Sequence, residues 1–224
     1  MLRRNMVVAI DGPSGSGKST VARGVATALG LRYLDTGAMY RALTWLALER
    51  ELPLDGAEAL GALALEATIV VNDDPGSPGI SIEGTDVTVA VRGAQVTAAV
   101  SAVSAVPAVR AAMVARQRAL IGDGGIVVEG RDIGTTVAPE APVKVFLVAD
   151  PGARAARRAE QDGAGAHAVA STEAALAKRD VADSTRAASP LVQAPDAVVV
   201  DSTIVDAETV IAEVLGLVAA VVGR

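Results

Sequence analysis

Eight residues near the start of the chain limit its fold more than any other feature. Gly12-Pro13-Ser14-Gly15-Ser16-Gly17-Lys18-Ser19 matches G-x-x-x-x-G-K-[ST] at every fixed position. It stands between an apolar run, Met6 to Ile10, and a helical pattern from Lys18 to Leu29. A strand that enters a glycine-rich turn and leaves as a helix forms a phosphate cradle. Its glycines let successive N–H groups point inward, and the helix N-terminus adds positive potential. The motif predicts nucleoside triphosphate binding by residues Gly12 through Thr20, with Lys18 on the β and γ phosphates and the Ser19 hydroxyl as a ligand of Mg²⁺. A glycine-rich turn with an incidental lysine is the plainer alternative, and the complete motif in its required context stands against it.

The rest of the chain repeats the strand-and-helix alternation. Ile126-Val127-Val128, Val143 to Val148 and Ala197 to Val200 are short apolar runs of the kind that form buried parallel strands. Val210, Val214, Leu217, Val218 and Val221 mark one face of a helix. The expectation is an α/β doubly wound parallel sheet with helices on both faces. Thr68 to Val91 breaks this rhythm. Thr68–Val71, Ile80–Glu83 and Val87–Val89 read as short strands between turn clusters such as Asn72-Asp73-Asp74-Pro75-Gly76, hence a small antiparallel insert. The expected division is 1–61 and 102–224 as the core, with 62–101 as the insert. Around Gly163, Gly165 and His167 periodicity is lost between two helical stretches, and a lid over about 152–170 is expected there.

Composition removes much other chemistry. There is no Cys and only one His, so disulfides, zinc clusters, thiol nucleophiles and Cys/His pairs are excluded. The formal charge of −6 argues against a general nucleic-acid or membrane binder but permits a local basic pocket. Of the 20 cations 17 are Arg, a skew that suits phosphate recognition and that coding bias would equally produce. The run after Arg3 and Arg4 is too short for a signal-peptide core, so a reducing cytoplasmic setting is expected.

The phosphate loop leaves the acceptor open, and three later segments narrow it. These are Leu34-Asp35-Thr36-Gly37-Ala38-Met39-Tyr40-Arg41, Glu129-Gly130-Arg131-Asp132-Ile133-Gly134-Thr135, and the stretch from Arg179 and Asp180 through Asp183 and Arg186 to Pro190-Leu191. Together with Ile82 to Thr88 and Val106-Pro107-Ala108-Val109-Arg110, in this order, they resemble the bacterial cytidylate kinase family over nearly the whole chain. The resemblance implies a nucleoside monophosphate kinase fold and transfer of a phosphoryl group from Mg·ATP to CMP or dCMP. It further implies Ser101, Arg110 and Asp132 around the cytosine. Arg41, Arg131 and Arg186 would hold the acceptor phosphate with Thr36 nearby, and Arg179 and Asp183 would face the ribose. A carboxylate at the base suits cytosine, whose exocyclic amine donates where uracil has a carbonyl.

Spacing adds something of its own. Arg179, Asp183 and Arg186 stand at i, i+4 and i+7, one face if all are helical, where a solvated ion-pair ladder is the rival reading. Arg154, Arg157 and Arg158 follow Asp150-Pro151, a helix start, and put three guanidinium groups on one face. In the family that helix leads into the lid, which implies Arg154 and Arg158 on the transferring phosphoryl group. A solvated basic face is again the rival. Asp11 either contacts Mg²⁺ through water or fixes the turn before the loop, and Tyr40 either packs in the core or lines the acceptor site.

Departures from the family pattern are Glu129 where Asp is frequent, Gly93 after Arg92, and Ala182 and Ser184 near Asp183. The partners expected are the small molecules ATP and CMP or dCMP, with no nucleic-acid polymer, no membrane, and a monomeric chain. A kinase of another small acceptor, another monophosphate or a shikimate-like alcohol, is the alternative, and a non-catalytic nucleotide switch is a third.

Overall fold

The computed structural model describes residues 5–161, 163 and 166–223; Arg3, Arg4 and Gly165 lie outside the described residues. In chain order the elements are β1 (Val7–Asp11), α1 (Lys18–Leu29), β2 (Arg32–Asp35), α2 (Thr36–Glu49), α3 (Ala57–Glu66), β3 (Ile69–Asn72), β4 (Gly79–Ile82), β5 (Thr85–Asp86), α4 (Ala94–Ala105), α5 (Pro107–Ile121), β6 (Ile126–Gly130), β7 (Val143–Val148), α6 (Pro151–Gln161), α7 (Val169–Thr185), β8 (Val198–Asp201) and α8 (Ala207–Val222).

The apolar runs form one sheet in the order β2, β6, β1, β7, β8, and every neighbouring pair is parallel. Side chains alternate between its faces, as a pleated strand requires. Val8 and Ile10 join the cluster under α1 and α8, with Val25 and Val214, whereas Ala9 joins the opposite one, with Leu43, Leu60 and Met113. Both faces are therefore covered, and the doubly wound α/β fold is as expected. The strand β2, which the apolar runs do not reveal, begins on a charge. Its Arg32 guanidinium reaches the carbonyls of Leu120, Ile121 and Gly124 and ties down the edge.

Local chemistry sets the turns nearest the site. Asp35 ends β2 and caps α2, its Oδ1 accepting the Ala38 N–H at 2.9 Å. The cap holds the strand-to-helix junction at the carboxyl end of the sheet. Asp150 accepts the Gly152 N–H at 2.8 Å and Pro151 opens α6, the start its sequence predicts.

The insert is a three-stranded antiparallel sheet, β3, β4, β5, with one register correction. The third strand is Thr85–Asp86, not Val87–Val89. Asp86 accepts the Thr88 N–H, turning the chain, and the Thr88 hydroxyl takes the Ile80 N–H at 2.9 Å in place of a ladder bond. The insert is not free of the core. Ile80, Ile82, Val87 and Val91 are buried in the same cluster as Leu43 and Leu60. The expected boundaries after residues 61 and 101 fall inside α3 and α4. Between α6 and α7 the described residues include a 3-10 turn, Ala166–Ala168, with His167 exposed. Among the described residues no single helix is long and apolar enough to cross a membrane.

Candidate functional site

The carboxyl ends of β1, β2 and β6 bring Asp11, Asp35 and Glu129 to one edge of the sheet, where open α/β folds bind ligands. The phosphate loop springs from β1 here. A Cβ on Gly12, whose φ is 148°, would stand 2.1 Å from the Leu147 carbonyl oxygen, so the close pass of the loop over β7 requires glycine. Gly17 caps α1 in the left-handed region, at φ 90°. The Lys18 Nζ donates to the Pro13 carbonyl at 2.6 Å and lies 3.4 Å from Ser16 Oγ. Burial, and then Arg131, lowers the proton affinity of Lys18.

Asp11 stands directly behind the loop. Its two oxygens accept the N–H groups of Ile133 and Gly134, each at 2.8 Å. They secure the wide turn in which Val137 and Ala138 donate to the carbonyls of Asp132 and Ile133. Asp11 fixes that turn, which places the Arg131-Asp132 pair just ahead of it. Burial lifts the Asp11 carboxyl to about 6 in spite of these two bonds.

Two buried side chains, Glu129 and Tyr33, form a pair that spacing along the chain does not indicate. Glu129 accepts the Tyr33 hydroxyl, joining β6 to β2, and the Thr36 hydroxyl donates to the Glu129 carbonyl at 2.7 Å. Burial, with Asp35 close by, raises the Glu129 carboxyl. Tyr33 could have been noticed only by recognising β2. Among the described residues there is no cluster of three or more His, Cys, Asp or Glu side chains able to hold a metal unaided. Ser19 and Asp35 instead share the lining of a cavity of about 80 Å³ beside the loop, an oxygen donor set that fits Mg²⁺ carried largely by phosphates and water.

A second network draws together most of the acceptor residues expected from the resemblance. Arg110 Nη2 meets Asp132 Oδ2 at 2.5 Å, and Arg186 Nη2 approaches Asp132 Oδ1 at 3.6 Å. Arg131 Nε donates to Asp183 Oδ2 at 2.9 Å. Burial would raise Asp183, but Arg131, Arg179 and Arg186 hold it below the usual carboxylate range. Several donors remain unspent: Arg110 Nε, Arg179 Nε and Arg186 Nη2 are buried with no hydrogen-bond partner among the described residues. Buried unsatisfied donors are costly, and their concentration here marks a place for an anionic, acceptor-rich ligand. Tyr40 is buried with its ring beneath the Arg110 guanidinium, 5.2 Å from the ring centroid, so it supports that arginine from the core.

Between α4 and α7 lies a cleft of about 800 Å³, reached by Ser14 of the loop, Ser101 of α4, Arg158 of α6 and Arg179 of α7. Arg41 stands at the insert, its Nη1 donating to the Val91 carbonyl at 3.1 Å and to Thr97 Oγ1 at 2.9 Å.

Two helical expectations are corrected. Arg186 is not on the α7 face with Arg179 and Asp183. The helix stops at Thr185, and Arg186 has an extended backbone with Nε bonded to the Ser189 carbonyl. It still reaches Asp183 Oδ1, at 3.8 Å, because the chain turns back there. The three arginines of α6 do not converge either. Arg154 bonds the Ser14 carbonyl and Asp180, and Arg158 lines the cleft, but Arg157 turns to the carbonyls of Ser202 and Thr203 after β8. A step of three residues and one of four turn side chains to opposite sides of their common neighbour. Asp180 and Ser202 are the partners that sequence reasoning does not supply. Ser202 Oγ in turn reaches the Ser16 carbonyl at 2.9 Å, bracing the loop from below.

The family model described as cytidylate kinase matches residues 8–220. A cytidylate kinase of Streptomyces avermitilis is 51% identical over 95% of this chain and 92% of its own length. One from Mycolicibacterium paratuberculosis is 50% identical over 89% of each chain. Among solved structures, an uncharacterized protein from Eubacterium ventriosum superposes with a TM-score of 0.54 at 13% identity, covering 96% of this chain and 99% of that one, a likeness of fold alone.

Proposed function

The chain belongs to the cytidylate kinase family, and on that premise we propose that it moves the γ-phosphoryl group of ATP onto CMP or dCMP, giving ADP and the corresponding diphosphate. The observation that carries the reading is the adjacency of two phosphate-binding devices. Ser14 of the loop lines the cleft with Arg179, whose Nη1 stands 3.5 Å from Ser14 Oγ, and Arg179 with Arg131 and Arg186 surrounds Asp183 in the network that continues through Asp132 to Arg110.

In this reading the loop amides and Lys18 hold the donor's β and γ phosphates. Ser19, with Asp35 behind it, would hold Mg²⁺, which when bound supplies charge neutralisation at the donor. Arg41, Arg131 and Arg186 take the acceptor phosphate, Thr36 steadies Glu129 beside them, and Arg179 and Asp183 meet the ribose. Ser101, Arg110 and Asp132 read the cytosine: the carboxylate, held by Arg110, accepts from the exocyclic amine and would face a second acceptor in uracil. Arg154 and Arg158 neutralise charge on the group in flight. The stretch 152–170 acts as the lid, and 62–101 as the acceptor-binding insert.

No general base is required. A nucleoside monophosphate has a second pKa of about 6 and arrives with its nucleophilic oxygen already ionised. What remains for the protein is in-line alignment, charge neutralisation and exclusion of water. The deciding experiment is ADP release with Mg·ATP against CMP, dCMP, UMP, AMP, GMP and shikimate at matched concentrations. Selective turnover of CMP and dCMP is the expected result. Preference for another acceptor would keep the kinase and remove the base-reading roles, and turnover indifferent to acceptor would leave a nucleotide switch.

A further inference from the structure

Arg92 differs from the more deeply set arginines around the cleft. It ends the short turn Ala90–Arg92 of the insert, precedes Gly93, and has a side chain 63% exposed. It lines the 800 Å³ cleft together with Ser14, Ser101, Arg158 and Arg179, and also the 80 Å³ cavity beside Ser19 and Asp35. Its guanidinium meets Asp35 Oδ2 at 3.7 Å, an ion pair too long for a hydrogen bond. The neighbouring arginines are held firmly. Arg131 is bonded to Asp183 and Arg186 to the Ser189 carbonyl. Arg41 is held by Thr97 and by the carbonyl of Val91, so the residue just before Arg92 rests on the Arg41 guanidinium.

We propose that Arg92 is a further ligand of the acceptor's phosphate: when a nucleoside monophosphate enters, the guanidinium leaves Asp35 and joins Arg41 on the phosphate oxygens. The proposal rests on the reading of the cleft as the CMP site. A phosphate dianion displaces a half-buried carboxylate held at 3.7 Å from an exposed guanidinium because it offers more charge and a bidentate pair of oxygens. Since Arg92 already borders both cavities, a change of side-chain rotamer is enough, and Asp35 keeps its helix cap through the other oxygen. The local field favours the move. Burial above all lowers the Arg41 guanidinium to about 9, and of the charges that act on it Arg179, Arg158 and Arg92 lower it further while Asp35 opposes them.

The test is calorimetric titration of the full chain and of R92Q and R92K with CMP, cytidine and ATP. R92Q is expected to bind CMP about tenfold more weakly, with cytidine and ATP affinities unchanged within about twofold. R92K, which keeps the charge but loses the fork, is expected to recover part of the CMP affinity. Unchanged CMP binding in R92Q would overturn the proposal. So would equal losses for CMP and cytidine, which would make Arg92 a structural residue. Wild-type protein that binds CMP no more tightly than cytidine would overturn the reading of the cleft and the proposal together, whereas normal wild-type preference with an indifferent R92Q would remove the proposal alone.

Discussion

Lys18, Asp132 and Asp11 are all buried ionisable groups, and the partners of each decide what its loss does. Lys18 meets a carbonyl and a hydroxyl of its own loop, and Arg131 repels it, so the folded state loses little when it is removed. Lys18→Ala should lower turnover by roughly 10²–10⁴-fold with an unchanged circular-dichroism spectrum. Near-normal turnover would sink its role at the donor. Asp132 holds two buried guanidinium groups, Arg110 and Arg186. Asp132→Asn should narrow the preference for CMP over UMP in kcat/KM and also lower the melting temperature, because buried Arg110 loses its counter-charge and Arg186 keeps only Asp183. A melting change with untouched selectivity would move base reading elsewhere. Asp11 titrates at about 6 in the folded protein, against an ordinary 3.8. Between these values the folded state holds a proton the unfolded chain has released. Its contribution to stability is thus complete below the lower value and lost as pH rises through the upper one. Relative to Asp11→Asn, wild type should lose on the order of 2–3 kcal/mol between pH 4 and 7. Urea midpoints measure this, and a constant difference across the range would assign the titration to another group.

Within α6 the same residue type does two jobs three positions apart. Arg154 points to the loop, through the Ser14 carbonyl, and to Asp180 on α7; Arg157 points to the far side, onto the carbonyls that follow β8. Arg154→Ala should cut kcat at least about tenfold and also lower the melting temperature, because Asp180 is left without its buried partner. Arg157→Ala should separate the two effects, costing about 1–2 kcal/mol of stability while kcat stays within a few-fold. Similar kinetic losses in both variants would restore the single basic face that spacing suggests. At the end of α7, Arg186 reaches Asp183 by a turn and not by helical periodicity. Local spacing alone could not show this, because the helix stop depends on what the next residues bond to.

Across the whole molecule the insert and the core share one apolar cluster, in which Ile82 is fully buried among side chains that include Leu43 and Leu60. Ile82→Ala should therefore cost about 2–5 kcal/mol and shift a single unfolding transition, with Trp45 fluorescence and far-ultraviolet dichroism coinciding. Separate transitions for the two probes would show an insert that melts on its own. Much of the architecture is legible without coordinates. The phosphate loop, the buried parallel strands and the antiparallel insert each follow from local pattern, because backbone geometry and burial act over a few residues. The residues proposed for the acceptor are legible only as an ordered set of motifs, since no single Arg or Asp announces its partner. The short strand β2, the Tyr33–Glu129 pair beneath the loop, the divided arginines of α6 and the Arg92–Asp35 contact were decided by tertiary structure alone. Each depends on groups from distant parts of the chain meeting at a distance and angle, and spacing along the sequence carries no information about that meeting.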